Sequence, residues 1–415
     1  MMNFRHATRV SGVVAAGAIA ALLITGCSRG GDDSGESNAP SPGITDESLL
    51  LGISSPLSGP TAGPGSCSVA GLYTYLEAKN ADGGFEFGDG KTRTVTLEYL
   101  DDTYDPAKTV TNFRQLVDED EIFAYVGALG TPTNSAIMPL ANEEEIPQVL
   151  LITGATKFSA DQEANPWTMG LLPTYYNEGF AFGELLAERG EVTVATLAQN
   201  DDYGDDYLAG FEAAIEGTDV EIVASATYEP TDTTLDGQVT ELAASGADAL
   251  LSAVSVTPLQ VGVLTKAQSL GWLPEIFLPS NTSTPATVVV PGNGAAYPAV
   301  YSTSLSKVPV SPAFAEDEDV IAYNEAFAEF GAAIAATYTP HCAWSYAEGA
   351  ILEQAFLGMT EPTRASFMEA LRSIEDFQAP LLLDGITVNT TDPTKPAIQG
   401  LTLVQFNGQG YGPVQ

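Results

Sequence analysis

The sequence predicts an α/β protein in which helices cover both faces of parallel sheets, arranged in about two domains. Short apolar runs alternate with helical patterns along the chain, the arrangement that a helix-covered parallel sheet requires. The 415 residues exceed what a single hydrophobic core usually serves. Several helix starts are also readable. Asp105-Pro106, Thr131-Pro132 and Thr257-Pro258 each place a capping residue before a proline at the first helical position.

Residues 1–26 are set apart as a secretory signal. Arg5 and Arg9 precede an apolar run over 13–24, and small residues lead up to Cys27. The placement of that cysteine resembles the lipobox of bacterial lipoproteins, so Cys27 is expected to carry lipid and the remainder to lie outside the cell membrane. Residues 27–45 follow as a flexible tether, because 28–43 contain no bulky apolar residue. Strands are then expected at 49–53, 95–99, 124–127, 148–152, 192–197, 221–226, 249–253 and 275–278. Helices are expected at 69–79, 106–117, 177–189, 207–216, 236–245, 258–270, 321–330 and 344–357. No repeat of 20–50 residues is visible, which argues against a solenoid.

Composition removes whole classes of function. The chain has 15 Lys+Arg against 54 Asp+Glu and a formal net charge of −39, and setting residues 1–26 aside removes two bases and no acid. Nucleic acid phosphates would be repelled, so no nucleic acid partner is expected. Outside the signal the only histidine is His341, and the cysteines besides Cys27 are Cys67 and Cys342. Metal sites and Cys/His dyads are poorly supplied, and neither metal nor cofactor is expected. No second apolar run is long enough to cross a bilayer.

The strand ends carry the functional signal. The strand at 49–53 runs into SSPLSGP (54–60), the third into GALGTPTNSA (127–136), the fourth into LLITGATKFS (150–159), and a later one into FLPSNTSTP (277–285). In open α/β sheets ligands bind beyond the carboxyl ends of the strands. Free backbone N–H groups and hydroxyls beside helix N-termini suit a small anionic or zwitterionic ligand without any cationic side chain.

In order and spacing, these features resemble the leucine/isoleucine/valine-binding proteins, the extracytoplasmic solute receptors of branched-chain amino acid ABC transporters. The resemblance runs from about Leu49 to Asn407. Its carriers are PLSGP, Asn80 to Gly84, Asp101-Asp102 with Asp105-Pro106, Tyr125 to Gly127, Ile146-Pro147, Asp202 to Gly204, and Trp344 to Ala347. It implies two doubly wound parallel-sheet lobes joined by three crossovers and closing like a flytrap. Lobe 1 would be 46–172 with 306–384, and lobe 2 would be 173–305 with 386–415.

The family's contacts are carried over one at a time. The carboxylate contact falls on Thr131, after Gly130. The ammonium contacts fall on the Gly154 carbonyl and on Thr156. Tyr203 matches a tyrosine that closes from the second lobe. Ser280 or Asn281 stands where the family has a glutamate for the ammonium, and Asp201, Asp202 or Asp205 is a possible substitute. Family aromatic positions fall near Pro64, Val256 and Cys342. A buried ammonium without a carboxylate partner is costly. The expected ligand is a branched-chain or other hydrophobic amino acid delivered to an ABC permease, with a non-amino carboxylate or amide as the alternative.

Two cysteines survive in a chain read as exported, where oxidation is the default. Cys67 and Cys342 each stand before a first-lobe helix, so a bridge at the cleft rim is expected, with two free thiols as the alternative. The family's own cysteine pair would fall near Tyr104 and Gly130 and is absent. A monomer is expected. Ser304-Leu305-Ser306-Lys307 spells the S-x-x-K of penicillin-recognising hydrolases, but four residues match readily by chance in a Ser-rich chain, and no enzyme is expected. Sensing through a membrane receptor is the other output that this fold allows.

Overall fold

The computed structural model describes residues 39–414; the expected signal and the lipid-bearing Cys27 lie outside them. The first sheet contains β1 (Ser48–Ser55), β2 (Phe85–Glu86), β3 (Thr92–Asp101), β4 (Ala124–Val126), β5 (Gln148–Leu151) and β6 (Thr168–Gly170), in the order β2-β3-β1-β4-β5-β6. Helices α1 (Ala62–Ala81), α2 (Pro106–Asp118) and α3 (Thr131–Glu143) connect its strands. Position in the sheet explains the residue patterns. β1 pairs with β3 on one side and β4 on the other, and its apolar run is almost wholly buried. β3 lies next to the short β2, and its residues alternate, with Arg93, Val95 and Leu97 inward and Thr94, Thr96 and Glu98 outward.

The chain continues through α4 (Tyr175–Ala187), β7 (Val192–Gln199), α5 (Asp202–Ile215), β8 (Val220–Tyr228), α6 (Asp236–Ala244), β9 (Ala249–Ala253), α7 (Thr257–Ser269), β10 (Glu275–Phe277) and β11 (Val300–Ser304). After α8 (Glu318–Ala326), α9 (Pro340–Gly358) and α10 (Arg364–Leu371) come β12 (Thr402–Phe406) and β13 (Tyr411–Pro413). The second sheet runs β13-β12-β11-β10-β9-β7-β8.

Both sheets are mixed rather than purely parallel. β2 is antiparallel to β3, and β12 is antiparallel to both β11 and β13. These short edge strands are too brief to leave a periodic signature. Helix starts also lie earlier than the apolar periodicity suggests: α1 opens at Ala62, α5 at Asp202 and α9 at Pro340. Small and polar residues fill those first turns; Asp201 caps α5 and Pro340 opens α9, while α1 starts without a side-chain cap.

Residues 41–45, expected to belong to the tether, pack on the first lobe. Ser41 N–H donates to Pro362 O at 2.9 Å, and Ile44 is buried beside Leu49.

Three segments carry the chain between the lobes, and they hydrogen-bond to one another. Lys307 N–H donates to Leu381 O at 2.7 Å and Leu383 N–H to Leu305 O at 3.0 Å. Ala397 N–H donates to Gly170 O at 3.0 Å and Ile398 N–H to Leu171 O at 2.9 Å. In the first lobe α1 crosses α9 so closely that a Cβ on Gly71 would stand 2.2 Å from the Cys342 carbonyl oxygen. Beside that crossing Cys67 and Cys342 are joined by a disulfide, their Cα atoms 4.3 Å apart. The bond does not sit at an exposed rim. Because both helices start earlier than expected, both cysteines fall within them, fully buried with Val320, Tyr323 and Tyr346.

Candidate cleft site

The strand ends of the two sheets face each other across a closed cleft holding a cavity of about 20 Å³, room for about one water molecule. Its first-lobe wall is made where β1, β4 and β5 end: Thr61 and Pro64, Leu129 to Thr131, and Ile152. Gly130 makes the turn into α3 at φ +114°, and a Cβ there would stand 2.6 Å from Thr133 Oγ1, so this left-handed position favours glycine. Thr131 then opens α3 with Pro132 behind it. The helix N-terminus directs its free amides and positive dipole end at the cavity. The Thr131 hydroxyl shares a 2.8 Å hydrogen bond with the Thr153 hydroxyl.

Tyr104 enters from the loop after β3. Thr103 and Tyr104 are both left-handed, at φ 54° and 64°, a conformation that disfavours side chains with a Cβ. Two carboxylates hold it. Asp101 accepts from Thr103 N–H at 2.9 Å, and Asp102 accepts from Tyr104 N–H at 2.9 Å. Asp102 is itself fully buried. Burial raises its pKa, opposed by hydrogen bonds from Tyr104 N–H, Ser54 and Thr109. The ring of Tyr104 passes over Gly130, and it lines the cavity together with Ser255 of the second lobe. A consequence can be measured: Tyr104→Phe keeps the ring and removes a hydroxyl from the cavity wall, where one hydrogen bond is worth about 1 kcal/mol. We expect it to weaken solute binding about fivefold, chiefly through faster dissociation in stopped-flow release. Unchanged dissociation would remove the hydroxyl from the closure mechanism.

The second lobe contributes Tyr203, Ser255 and Asn281, together with Tyr175 at the head of α4. Tyr203 O–H donates to Asn281 Oδ1 at 3.1 Å, and its ring packs edge-on against Tyr175 at 4.6 Å. From α9 come His341 and Trp344, ring centroids 4.8 Å apart. His341 Nδ1 lies 3.1 Å from Thr339 Oγ1. Burial lowers its pKa to about 3, so the imidazole is neutral at pH 7. The Thr61 hydroxyl and the Trp344 indole N–H are buried without a protein partner. Outside the cavity the lobes are latched twice: Thr156 N–H donates to Asp206 at 2.6 Å, and Lys157 pairs with Asp202 at 2.9 Å.

Gly130, Thr131, Tyr203 and Asn281 thus come together on one cavity, whereas Gly154, Thr156 and Ser280 do not line it. The Gly154 carbonyl accepts from Tyr175 N–H at 2.8 Å. Ser280 turns to Glu178, giving its N–H at 3.1 Å and its hydroxyl at 2.8 Å, and Thr303 adds a third bond at 2.8 Å. Glu178, its pKa raised by burial, is spent on this internal network. Asp201 caps α5 through Tyr203 N–H, and neither it, Asp202 nor Asp205 lines the cavity. Among the described residues no charged side chain lines it. Aromatic surface absent at Pro64, Val256 and Cys342 is supplied by Tyr104, Tyr175 and Trp344. Sequence reading missed these three as site residues, together with Ser255 and His341. The DDTY turn at 101–104 and the lone histidine were the signals available.

The S-x-x-K residues form no catalytic pair. Ser304 Oγ donates to Ser306 O at 3.1 Å, and Lys307 Nζ pairs with Asp317 and Asp319, each at 3.0 Å. Among the described residues no group of His, Cys, Asp and Glu is placed to hold a metal, and no helix is long and apolar enough to cross a membrane.

Two hinged α/β lobes closed on a small polar-edged cavity define a solute receptor. The chain belongs to the periplasmic binding protein family, type I, whose model matches residues 49–411; its members are extracytoplasmic solute-binding partners of ABC transporters. No curated protein matches significantly. Among solved structures, a fatty acid ABC transporter substrate-binding protein from Thermomonospora curvata is 21% identical, with a TM-score of 0.76, covering 90% of this chain and 92% of that one. A possible leucine/isoleucine/valine-binding protein from Rhodopirellula baltica is 22% identical, with a TM-score of 0.74 and coverage of 89% and 97%. A solute-binding protein from R. palustris in complex with benzoate is 16% identical, with a TM-score of 0.71 and coverage of 88% and 95%. At such identities the likeness concerns the fold.

Proposed function

We propose that this protein, anchored through lipid on Cys27, delivers to an ABC importer an apolar carboxylate that lacks a free α-ammonium group. One observation carries the reading: the cavity lining is uncharged, and it offers donors rather than a counter-charge for a cation. The Thr131 amide with the α3 dipole, the Thr61 hydroxyl and the Trp344 indole N–H suit a carboxylate. An ammonium would meet Asn281 and Ser255 with no carboxylate beside it, which is costly in a closed site. The ligands named for the structural neighbours, benzoate and fatty acid, belong to this class, and leucine, isoleucine and valine do not.

A thermal-shift series tests the choice. Ligand at about a thousandfold above its dissociation constant adds roughly 4 kcal/mol of stability, so benzoate and straight-chain carboxylates should raise the melting temperature. Leucine and valine should leave it unchanged. Stabilisation by the amino acids with silence from the acids would reverse the assignment.

A further inference from the structure

Behind Trp344, on the hinge side of the cleft, lies a second hollow of about 60 Å³, some three times the free space of the first. The two share Trp344, and the turn at Ser280-Asn281 forms the rest of the partition, Ser280 facing the second hollow and Asn281 the first. The walls of the second hollow are apolar: Pro285, Leu305, Val308 and Val404, with the rings of Tyr338 and Tyr411. Several Ser and Thr hydroxyls around it are turned into protein bonds, whereas those of Tyr338 and Tyr411 have no protein partner. Ser283 donates to Ser280 O at 3.2 Å, Thr303 to Glu178, and Ser304 to Ser306 O. Trp344 is 1% exposed. Its indole N–H and the Tyr338 hydroxyl have no protein partner, so packing rather than hydrogen bonding holds the ring between the two hollows.

We propose that the second hollow is a tail chamber of the same site, taking the hydrocarbon end of a medium-length acyl or aryl-alkyl carboxylate whose head lies at the α3 N-terminus. Trp344 is the movable partition over which the chain passes. The shared Trp344 wall identifies the occupant, since an apolar hollow set directly against a carboxylate site is placed to accept what that carboxylate carries. The inference rests on the ligand class proposed above.

Calorimetric titration of the receptor with straight-chain carboxylates from butanoate to decanoate tests it. Beyond the length that fills the first cavity, affinity should rise about fourfold per added methylene, the factor that burial of one CH₂ supplies. Val404→Phe fills the chamber and should cancel this gain for octanoate while leaving butanoate within about twofold. Ser283→Leu, on the same chamber, should discriminate in the same way and serves if Val404→Phe does not fold. A flat chain-length series with butanoate and benzoate still bound overturns the tail chamber alone. So does equal weakening of butanoate and octanoate in the filled variant. Failure of every carboxylate to bind overturns the ligand class and the chamber with it.

Discussion

Replacing both Cys67 and Cys342 by serine should lower the stability of the receptor by about 2–4 kcal/mol, with the entropic model setting an upper value near 5. The two residues are 275 positions apart, so without the bond the unfolded chain regains a long loop of conformational freedom. The folded state also loses something local. α1 and α9 meet at Gly71 with no room for a side chain, and the bond holds that contact beside the Thr61 and His341 edges of the cavity. The serines enter a fully buried apolar cluster and add to the loss. Urea titration of the double variant beside the unaltered protein measures it. A midpoint indistinguishable from that of the oxidised parent would show that the bond contributes nothing to stability.

Acid should unfold the protein through His341, with an effect on the order of 5 kcal/mol across its window. The folded imidazole titrates near pH 3 because burial disfavours its charged form, whereas an unfolded histidine titrates near 6.5. A depressed folded value means that the unfolded state takes up the proton first. Stability is therefore fully present above about pH 6.5 and is lost as pH falls toward 3, at about 1.4 kcal/mol per pH unit. Glu348 acts in the opposite sense. It is fully buried with no partner for either carboxylate oxygen, and burial raises its pKa far above the usual range. The folded state thus holds a proton that the unfolded state releases, and stability falls as pH rises from the ordinary glutamate range toward the raised folded value. His341→Asn should flatten the acid limb, and Glu348→Gln should flatten the limb at higher pH. The slope of stability against pH is the readout, since either change also alters packing. An unaltered acid limb in His341→Asn would assign the acid sensitivity to other groups.

Much of this architecture was legible because it rests on short-range rules. The alternation of apolar runs with helical patterns is set by local burial. The proline-led starts were legible as well, although only Asp105 caps its helix; Thr131 and Thr257 are the first residues of theirs, with Gly130 and Val256 at the caps and no side-chain cap bond. The hydroxyl-rich strand ends were legible for the same reason. Thr61, just past PLSGP, Gly130 with Thr131, and Asn281 all come from those ends to the cavity. The rest depends on long-range geometry. Tyr104 reaches the cavity only because buried Asp102 holds a left-handed backbone. Trp344 and His341 arrive on a helix whose first turn, Pro340 to Ala343, shows no apolar period. Glu178 looks like an ordinary helix residue until Ser280 and Thr303, more than a hundred positions away, close around it. Edge strands as short as β2 and β13 carry too few residues for any pattern.

The Cys67–Cys342 bond has a topological consequence besides its energy. It closes the backbone from α1 to α9 into a covalent ring, and β7 to β11 of the second sheet all lie on that ring. A protease that cuts one exposed loop between β7 and β11 therefore opens the ring without separating any fragment from the rest. Outside a cell, where such cuts are not repaired, a nicked receptor remains one molecule, still joined to its N-terminal segment. On a denaturing gel it would run as a single species until a reductant splits it in two.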